Sequence, residues 1–257
     1  MSRILTLALA TMPLSLLTPA EFAAQADAQE FRVETEVFIA DEPEPASRTV
    51  TLFENGAVYE FVDHPPQVIV YRRGNADRPG QFILLDRTSK RRTDVPVDRM
   101  NALMDKVQAW AAANDDALIK FSAAPEFEET FERDFGQLTL TSKEWTYKVA
   151  TVPAEDAAAL IRFRDFTDAY ARLNALLYGE MPPGPRLALN EALEKHGVVP
   201  VEIRRILGDD EDTQVRAAHL FSWRLSRDDR GRIDEAQRFL ANFEKVDNET
   251  YRTAWKQ

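Results

Sequence analysis

The Asn55-Gly56 pair stands between two short runs of alternating apolar residues, 49–54 and 57–62. Asn-Gly between such runs is the strongest short-range signal of a β-hairpin, because both residues tolerate the positive φ angles of a type I′ turn. The chain is therefore constrained to antiparallel pairing around this turn. The predicted cross-strand pairs are Leu52 with Tyr59, Val50 with Phe61, and Phe53 with Val58.

Periodicity divides the rest of the chain into further strands and helices. Additional strands are predicted at 31–39, 67–72, 82–85, 91–95, 127–133, 137–141, 145–151, 201–207 and 213–225. Helices are predicted at 97–113, 154–178 and 186–196, with a last helix capped by Asp228 or Asp229. These elements predict an α+β fold, in which a curved, half-barrel-like antiparallel sheet packs against two or three amphipathic helices. We expect residues 29–257 to form one domain, with a rigid corner at the Pro-Pro-Gly-Pro segment 182–185.

Residues 1–28 have the organisation of a cleavable signal peptide. Arg3 precedes an uncharged run from Ile4 to Leu17, and the alanines at 24, 26 and 28 supply cleavage sites. The alternative is an N-terminal membrane anchor, but a run of 14 residues interrupted by Pro13 is short for a membrane span. No later stretch is apolar enough, so no stable membrane span is expected after cleavage. We expect an exported protein, periplasmic or secreted.

Charge and missing motifs exclude several classes of function. The net charge is −11, or −10 once residues 1–28 are set aside, which disfavours nucleic acid and anionic lipid surfaces as partners. The absence of Cys excludes disulfides, thiol catalysis and Cys-ligated metals. There is no G-x-S-x-G elbow, no G-x-G-x-x-G fingerprint and no P-loop. We therefore predict no catalytic residues, no metal site and no cofactor.

The three histidines and the acidic runs form no recognisable site. H-E-x-x-H spacing is absent, and the acidic run 209–212 is predicted to be a solvated turn because its carboxylates are contiguous. His219 lies on the apolar face of predicted strand 213–225, together with Phe221, Trp223 and Leu225. We expect its imidazole to be buried, neutral at pH 7, and hydrogen-bonded to a backbone carbonyl or a tyrosine.

The order of these features resembles a known family. A signal peptide, the hairpin formed by 82–86 and 90–92, and a helix at 97–113 directly after it are similar to the LolA/LolB-like superfamily of periplasmic lipoprotein carriers. The resemblance covers residues 31–180 and concerns the fold, and the additional C-terminal hairpin and helix depart from it. It implies an open half-barrel that helices close over a lipidated polypeptide. No residue motif of the family is present to be carried over.

Three functions stay open at this stage. The first is a non-enzymatic protein that shelters an apolar ligand or lipid tail, and the second is a cell-envelope interaction module that binds another protein through its acidic surface. The third is a hydrolase without a recognisable motif, since distributed carboxylates leave no sequence signature. The predicted ligand-binding residues are strand aromatics, for which the alternative is ordinary core packing. They are Tyr59, Phe61, Trp145, Tyr147, Phe221 and Trp223.

Overall fold

The Asn55-Gly56 turn joins two antiparallel strands, β2 (Ser47–Glu54) and β3 (Ala57–Val62), as the sequence predicts. Gly56 has φ +85°, a left-handed value that glycine adopts without the steric cost of a Cβ. The three predicted cross-strand pairs of this hairpin are confirmed. The computed structural model of the chain describes residues 30–40, 42–75, 78–179, 181–208 and 210–255, the side chains of 210–213 and 252–255 excepted.

The described residues form twelve strands and six α-helices, which confirms the α+β class. The other strands are β1 (Phe31–Ile39), β4 (Gln67–Arg72), β5 (Gln81–Asp86), β6 (Arg91–Pro96), β7 (Glu128–Glu132), β8 (Gln137–Thr141), β9 (Trp145–Pro153), β10 (Val198–Leu207), β11 (Asp210–Ser222) and β12 (Glu244–Lys245). The helices are α1 (Val97–Ala112), α2 (Ala117–Ala123), α3 (Ala157–Tyr178), α4 (Gly184–His196), α5 (Arg227–Asn242) and α6 (Asn248–Trp255). None of these helices is both long enough and apolar enough to cross a membrane.

One open sheet contains all of these strands, in the order β12-β6-β5-β4-β3-β2-β1-β11-β10-β9-β8-β7. Neighbouring strands are antiparallel, except that β12 runs parallel to β6. The strand that begins the described chain, β1, therefore lies between β2 and β11 in the middle of the sheet. This position brings residues almost two hundred positions apart in the sequence onto neighbouring strands.

The part of the sheet from β1 to β5 is covered on both faces. On one face, Phe163 and Phe166 of α3 pack against Phe53, and Phe53 stacks on Phe31 with ring centroids 4.0 Å apart. On the opposite face, α5 covers an apolar cluster that includes Leu52. Each face of this region therefore buries large apolar side chains, which stabilise the fold.

The part of the sheet from β8 to β10 is covered by α4, whose Leu189 and Leu193 are buried in the same cluster as Val149. Gly184 allows α4 to begin close to α2. A Cβ at this position would collide with the carbonyl oxygen of Ser122 and lie 2.8 Å from Cδ of Pro125. The Pro-rich segment predicted as a corner connects α3 to α4.

Several predicted boundaries differ from the structure. Strand β11 ends at Ser222, so the chain turns before Leu225, which packs in the cluster on the opposite face from Phe221. The prediction that Leu225 shares a face with His219 is therefore wrong. The last long helix is capped by Ser226, whose hydroxyl accepts from the backbone N–H of Asp229 in a capping box, and not by an aspartate. The segments 117–123 and 248–255 are helical, which the periodicity did not predict.

Candidate functional site

A row of polar side chains crosses the sheet face that α3 covers. Strand register aligns Thr49, Thr35 and His219 across β2, β1 and β11. Glu60 on β3 pairs with Thr51 in the next row of the same face. Because side chains alternate between faces along a strand, these residues all project toward α3. Phe31 and Phe53 lie on the same face of the sheet.

These polar residues line a cavity of about 330 Å³ between the sheet and α3, which we call the polar chamber. The sheet contributes the polar row and Ser47, and the helix contributes Tyr170 and Asn174. The full lining is Val33, Thr35, Val37, Ser47, Thr49, Thr51, Glu60, Phe163, Phe166, Thr167, Tyr170, Ala171, Asn174, Arg186, Ala217 and His219. The chamber thus combines hydroxyls, a carboxyl, an amide and an imidazole.

Glu60 is almost completely buried, with 5% of its surface exposed. Burial raises the pKa of its carboxyl to about 7, although hydrogen bonding by Tyr170 and Thr49 opposes that rise. Its Oε2 atom has no hydrogen-bond partner among the described protein groups. The carboxyl therefore changes its charge near neutral pH inside the polar chamber.

His219 lies in the polar chamber on the face that the sequence predicts. Its Nδ1 atom is 3.0 Å from Oγ1 of Thr35, and its Nε2 atom has no partner among the described groups. Burial, with a smaller effect from the charge of Arg186, lowers the pKa of the imidazole to about 3. The prediction of a neutral imidazole is confirmed, but the predicted partner, a carbonyl or tyrosine, is wrong. A threonine is the partner because the cross-strand neighbour of His219 is Thr35.

A second cavity, of about 610 Å³, adjoins the polar chamber below α3 and α4, and we call it the wide chamber. Aromatic, aliphatic and small side chains make up most of its wall. The lining is Val37, Trp145, Tyr147, Ala171, Asn174, Ala175, Gly179, Met181, Pro182, Pro183, Arg186, Ile203, Arg205, Val215 and Ala217. Five residues, Val37, Ala171, Asn174, Arg186 and Ala217, line both chambers, so the two form one cleft.

Arg186 is the third residue of α4 and stands where the two chambers meet. Its Nε atom donates to Oδ1 of Asn190 at 3.0 Å, and Nδ2 of Asn190 donates to Oδ1 of Asp168 at 2.7 Å. Burial lowers the pKa of the Arg186 guanidinium, and the charge of Asp168 only partly opposes this. Among the described residues, no carboxylate lies within 4.0 Å of Arg186.

Arg205 on β10 is a second cation of the wide chamber. Its guanidinium carbon lies 5.5 Å from the ring centroid of Trp145, a cation–π distance. Its buried Nε atom has no hydrogen-bond partner, and no acidic side chain of the described chain pairs with it. Burial raises the pKa of Tyr147, and the charges of both Arg186 and Arg205 oppose that rise. Both arginines are therefore close enough to Tyr147 to act on it.

The structure distributes the six predicted aromatic residues over three places. Trp145 and Tyr147 line the wide chamber, with ring centroids 5.8 Å apart. Phe221 and Trp223 stack on each other and pack against the core beside α3. Tyr59 and Phe61 lie on the opposite face of the sheet under α5. The structure therefore brings two of the six to the cleft.

Sequence reasoning missed the polar residues of the cleft. Alternating hydroxyls at 47, 49 and 51 signalled a polar face on β2, but the partners of that face are supplied by β1 and β11. Arg186 and Arg205 carry no local signal, because each sits in an otherwise ordinary helix or strand. Among the described residues, no three His, Asp or Glu side chains lie close enough together to hold a metal ion.

The comparisons with known proteins do not assign the chain to a family. No protein-family model matches the chain, and no curated protein matches it. The chemistry of the cleft is therefore interpreted from its residues.

Proposed function

We propose that this chain is an exported, non-enzymatic protein that shelters an apolar ligand or a lipid tail in the wide chamber. The observation that supports this proposal is a space of about 610 Å³ bounded by Trp145, Tyr147 and aliphatic side chains. Ligand sites for small molecules have volumes of about 300–1,000 Å³ and mostly apolar walls with few polar groups. In this proposal the sheet curves around the ligand as a half-barrel, and α3 and α4 cover it.

Small side chains support binding rather than plain core packing in this part of the molecule. Ala171, Ala175 and Ala217 line the wide chamber, where larger side chains would occupy the space. An apolar space without an occupant destabilises a fold, since surrounding atoms lose their contacts. A ligand that fills the chamber would restore those contacts.

Extraction of lipids from the purified protein, together with native mass spectrometry, tests this proposal. We expect a bound apolar molecule, or saturable binding of a fluorescent fatty acid by protein from which ligand has been removed. Protein that contains no ligand and binds no such probe would overturn the carrier proposal and leave the envelope interaction module as the next hypothesis.

The variant Ala171→Leu tests whether the probe binds in the cleft. Ala171 lines both chambers, so a leucine there should reduce probe binding by about tenfold or more through loss of space. Ala158→Leu is the matched control, because Ala158 belongs to the same helix and is exposed. Equal binding by the two variants would place the probe elsewhere and contradict the assignment of this cleft.

A further inference from the structure

Two arginines face the wide chamber without an acidic partner in the described chain. Other arginines nearby are paired: Arg164 forms ion pairs with Glu194 and Asp168, and Arg32 forms ion pairs with Glu34 and Asp229. A charge removed from water is unfavourable unless a counter-charge and hydrogen bonds compensate it. Arg186 and Arg205 have no carboxylate partner among the described residues, so an anionic group of a ligand could compensate their charge.

The surroundings of Arg186 hold its guanidinium in place without neutralising it. Asn190 accepts from Nε and donates in turn to Asp168, so the carboxylate acts through an intervening amide. Oδ2 of Asp168 also lies 3.6 Å from Nε of Arg164, so the carboxylate forms an ion pair with that arginine. Since Asn190 engages only Nε, the two terminal nitrogens of Arg186 keep their donors for another group.

Arg205 lies against an aromatic ring, and its guanidinium likewise has no carboxylate partner among the described residues. Its position near the Trp145 ring leaves the N–H groups at the edge of the guanidinium plane. The flanking residues on the neighbouring strands, Tyr147 and Val215, provide no carboxylate. The chamber wall thus presents two sets of guanidinium donors around Tyr147, in a protein whose net charge is −11.

We infer that the ligand of the cleft is an anionic amphiphile, with a carboxylate or phosphate head held by Arg186 and Arg205 and a single apolar chain against Trp145, Tyr147 and Met181. This inference rests on the proposed function and specifies its ligand. Guanidinium groups match the planar, paired oxygens of carboxylates and phosphates by two parallel hydrogen bonds. The buried carboxyl of Glu60 disfavours a second anion in the polar chamber, so the head binds at the arginines.

Four probes with the same twelve-carbon chain test this inference: dodecanoate, dodecyl phosphate, dodecanol and dodecylamine. Each displaces a neutral fluorescent dye from protein from which ligand has been removed, at neutral pH. We expect the two anions to bind about 10- to 100-fold more tightly than the alcohol, and the amine to bind most weakly. A preference between the two anions distinguishes a fatty-acid head from a phospholipid head.

The outcomes separate the inference from the proposed function. Equal affinity of all four probes would overturn the anion inference and leave apolar binding intact. Absence of binding by every probe, dodecanol included, would overturn both. Tighter binding of dodecylamine than of dodecanoate would contradict the assigned role of the arginines and indicate that Glu60 recognises the head.

The variants R186Q and R205Q assign the effect to the two arginines. Each should weaken dodecanoate binding about 10- to 100-fold while dodecanol binding changes less than about twofold. R204Q is the matched control, because Arg204 is exposed, adjacent to Arg205 and paired with Glu202. Unchanged dodecanoate binding in both R186Q and R205Q would overturn the inference.

Thermal unfolding without ligand distinguishes a binding role from a structural one. Because R186Q removes a partly buried charge that has no carboxylate partner among the described residues, its Tm should equal or exceed that of the wild type. If R186Q fails to fold, Arg186 is structural and the assignment of this residue is wrong. In that case R205Q tests the anion preference, because it replaces a strand residue whose Nε atom has no hydrogen-bond partner. The measurement is again dodecanoate binding compared with dodecanol binding.

Discussion

Helix α3 contacts two very different regions of the same sheet. Toward β2 and β5 its aromatic residues Phe163 and Phe166 enter a filled core of stacked rings. Along its other flank, Ala171, Asn174 and Ala175 border a cleft that contains unpaired polar atoms. The same helix therefore contributes packing to one region and leaves open space in the other. The comparison indicates that the filled region supplies stability, which allows the cleft to keep groups that a fold alone would not favour.

The cleft should be the more sensitive region to acid, and His219 is expected to produce the largest effect. Its pKa is about 3 in the folded chain and 6.5 when unperturbed, so the unfolded state binds the proton more readily below pH 6.5. The part of the free energy of unfolding that depends on neutral His219 is fully present above pH 6.5. It is lost as the pH falls toward 3, with an upper limit of about 5 kcal/mol. Urea unfolding at several pH values should show this loss in the wild type and not in His219→Phe.

His64→Phe is the control for that experiment, because His64 lies exposed in the turn after β3. It should keep the acid dependence of the wild type. If His219→Phe loses stability on acidification as steeply as the wild type, the imidazole is not the group responsible, and its assignment as a neutral residue of the polar chamber is wrong.

The filled region should respond most strongly to loss of volume. Phe53 has no exposed surface and stacks on Phe31, so Phe53→Ala should lower the free energy of unfolding by about 3–5 kcal/mol. Phe135→Ala is the control, because 76% of Phe135 is exposed, and it should change stability by less than about 0.5 kcal/mol. A loss below about 1 kcal/mol for Phe53→Ala, measured by chemical denaturation, would show that this region is not the source of stability.

Glu60 should make the free energy of unfolding depend on pH in the direction opposite to His219. Its pKa is about 7 in the folded chain and 4.5 when unperturbed, so the folded state holds the proton more tightly. Stability is therefore highest below pH 4.5 and falls as the pH rises to 7, by up to about 3 kcal/mol. Glu60→Gln should remove this decline and be more stable than the wild type above pH 7.

Between pH 4.5 and 6.5 the effects of Glu60 and His219 oppose each other, so the single variants are needed to resolve them. Glu128→Gln, at an exposed position on the edge strand β7, is the control for the carboxyl. A wild-type-like decline in Glu60→Gln between pH 4.5 and 7 would assign the titration to another group.

The same two regions differ in how far the sequence could predict them. The β2–β3 hairpin and its register followed from Asn55-Gly56, because a two-residue turn fixes the pairing locally. The sequence pattern predicts a longer β11, because alternation continues through Leu225 although the strand ends at Ser222 and the chain turns away. Local pattern is sufficient where neighbours in the sheet are neighbours in the sequence.

The cleft depended on contacts that no local pattern specifies. Thr35 and His219 are 184 positions apart and meet because β1 pairs with β11. The lack of a carboxylate partner for Arg186 depends on which residues of other elements surround it, and no local pattern in α4 predicts it. Tyr59 and Phe61 lie on the face of the sheet that α5 covers, whereas Trp145 lines the wide chamber, and alternation along single strands does not specify which strands share a cavity.

A pair of identical substitutions compares the two regions most directly, and we expect it to give the smallest effects. Ala171 and Ala236 both lie within long helices, but Ala171 of α3 borders the cleft, whereas Ala236 of α5 is fully buried against the sheet. Leucine at Ala236 has no space and should lower the free energy of unfolding by about 1–3 kcal/mol through overpacking. Leucine at Ala171 can enter the cleft and should change stability by less than about 1 kcal/mol in either direction. Both variants share the same change in helix propensity, so the difference between their unfolding midpoints reports packing alone. Equal destabilisation by the two leucines would mean that the flank of α3 is as tightly packed as α5, and the comparison between a filled region and an open one would no longer hold.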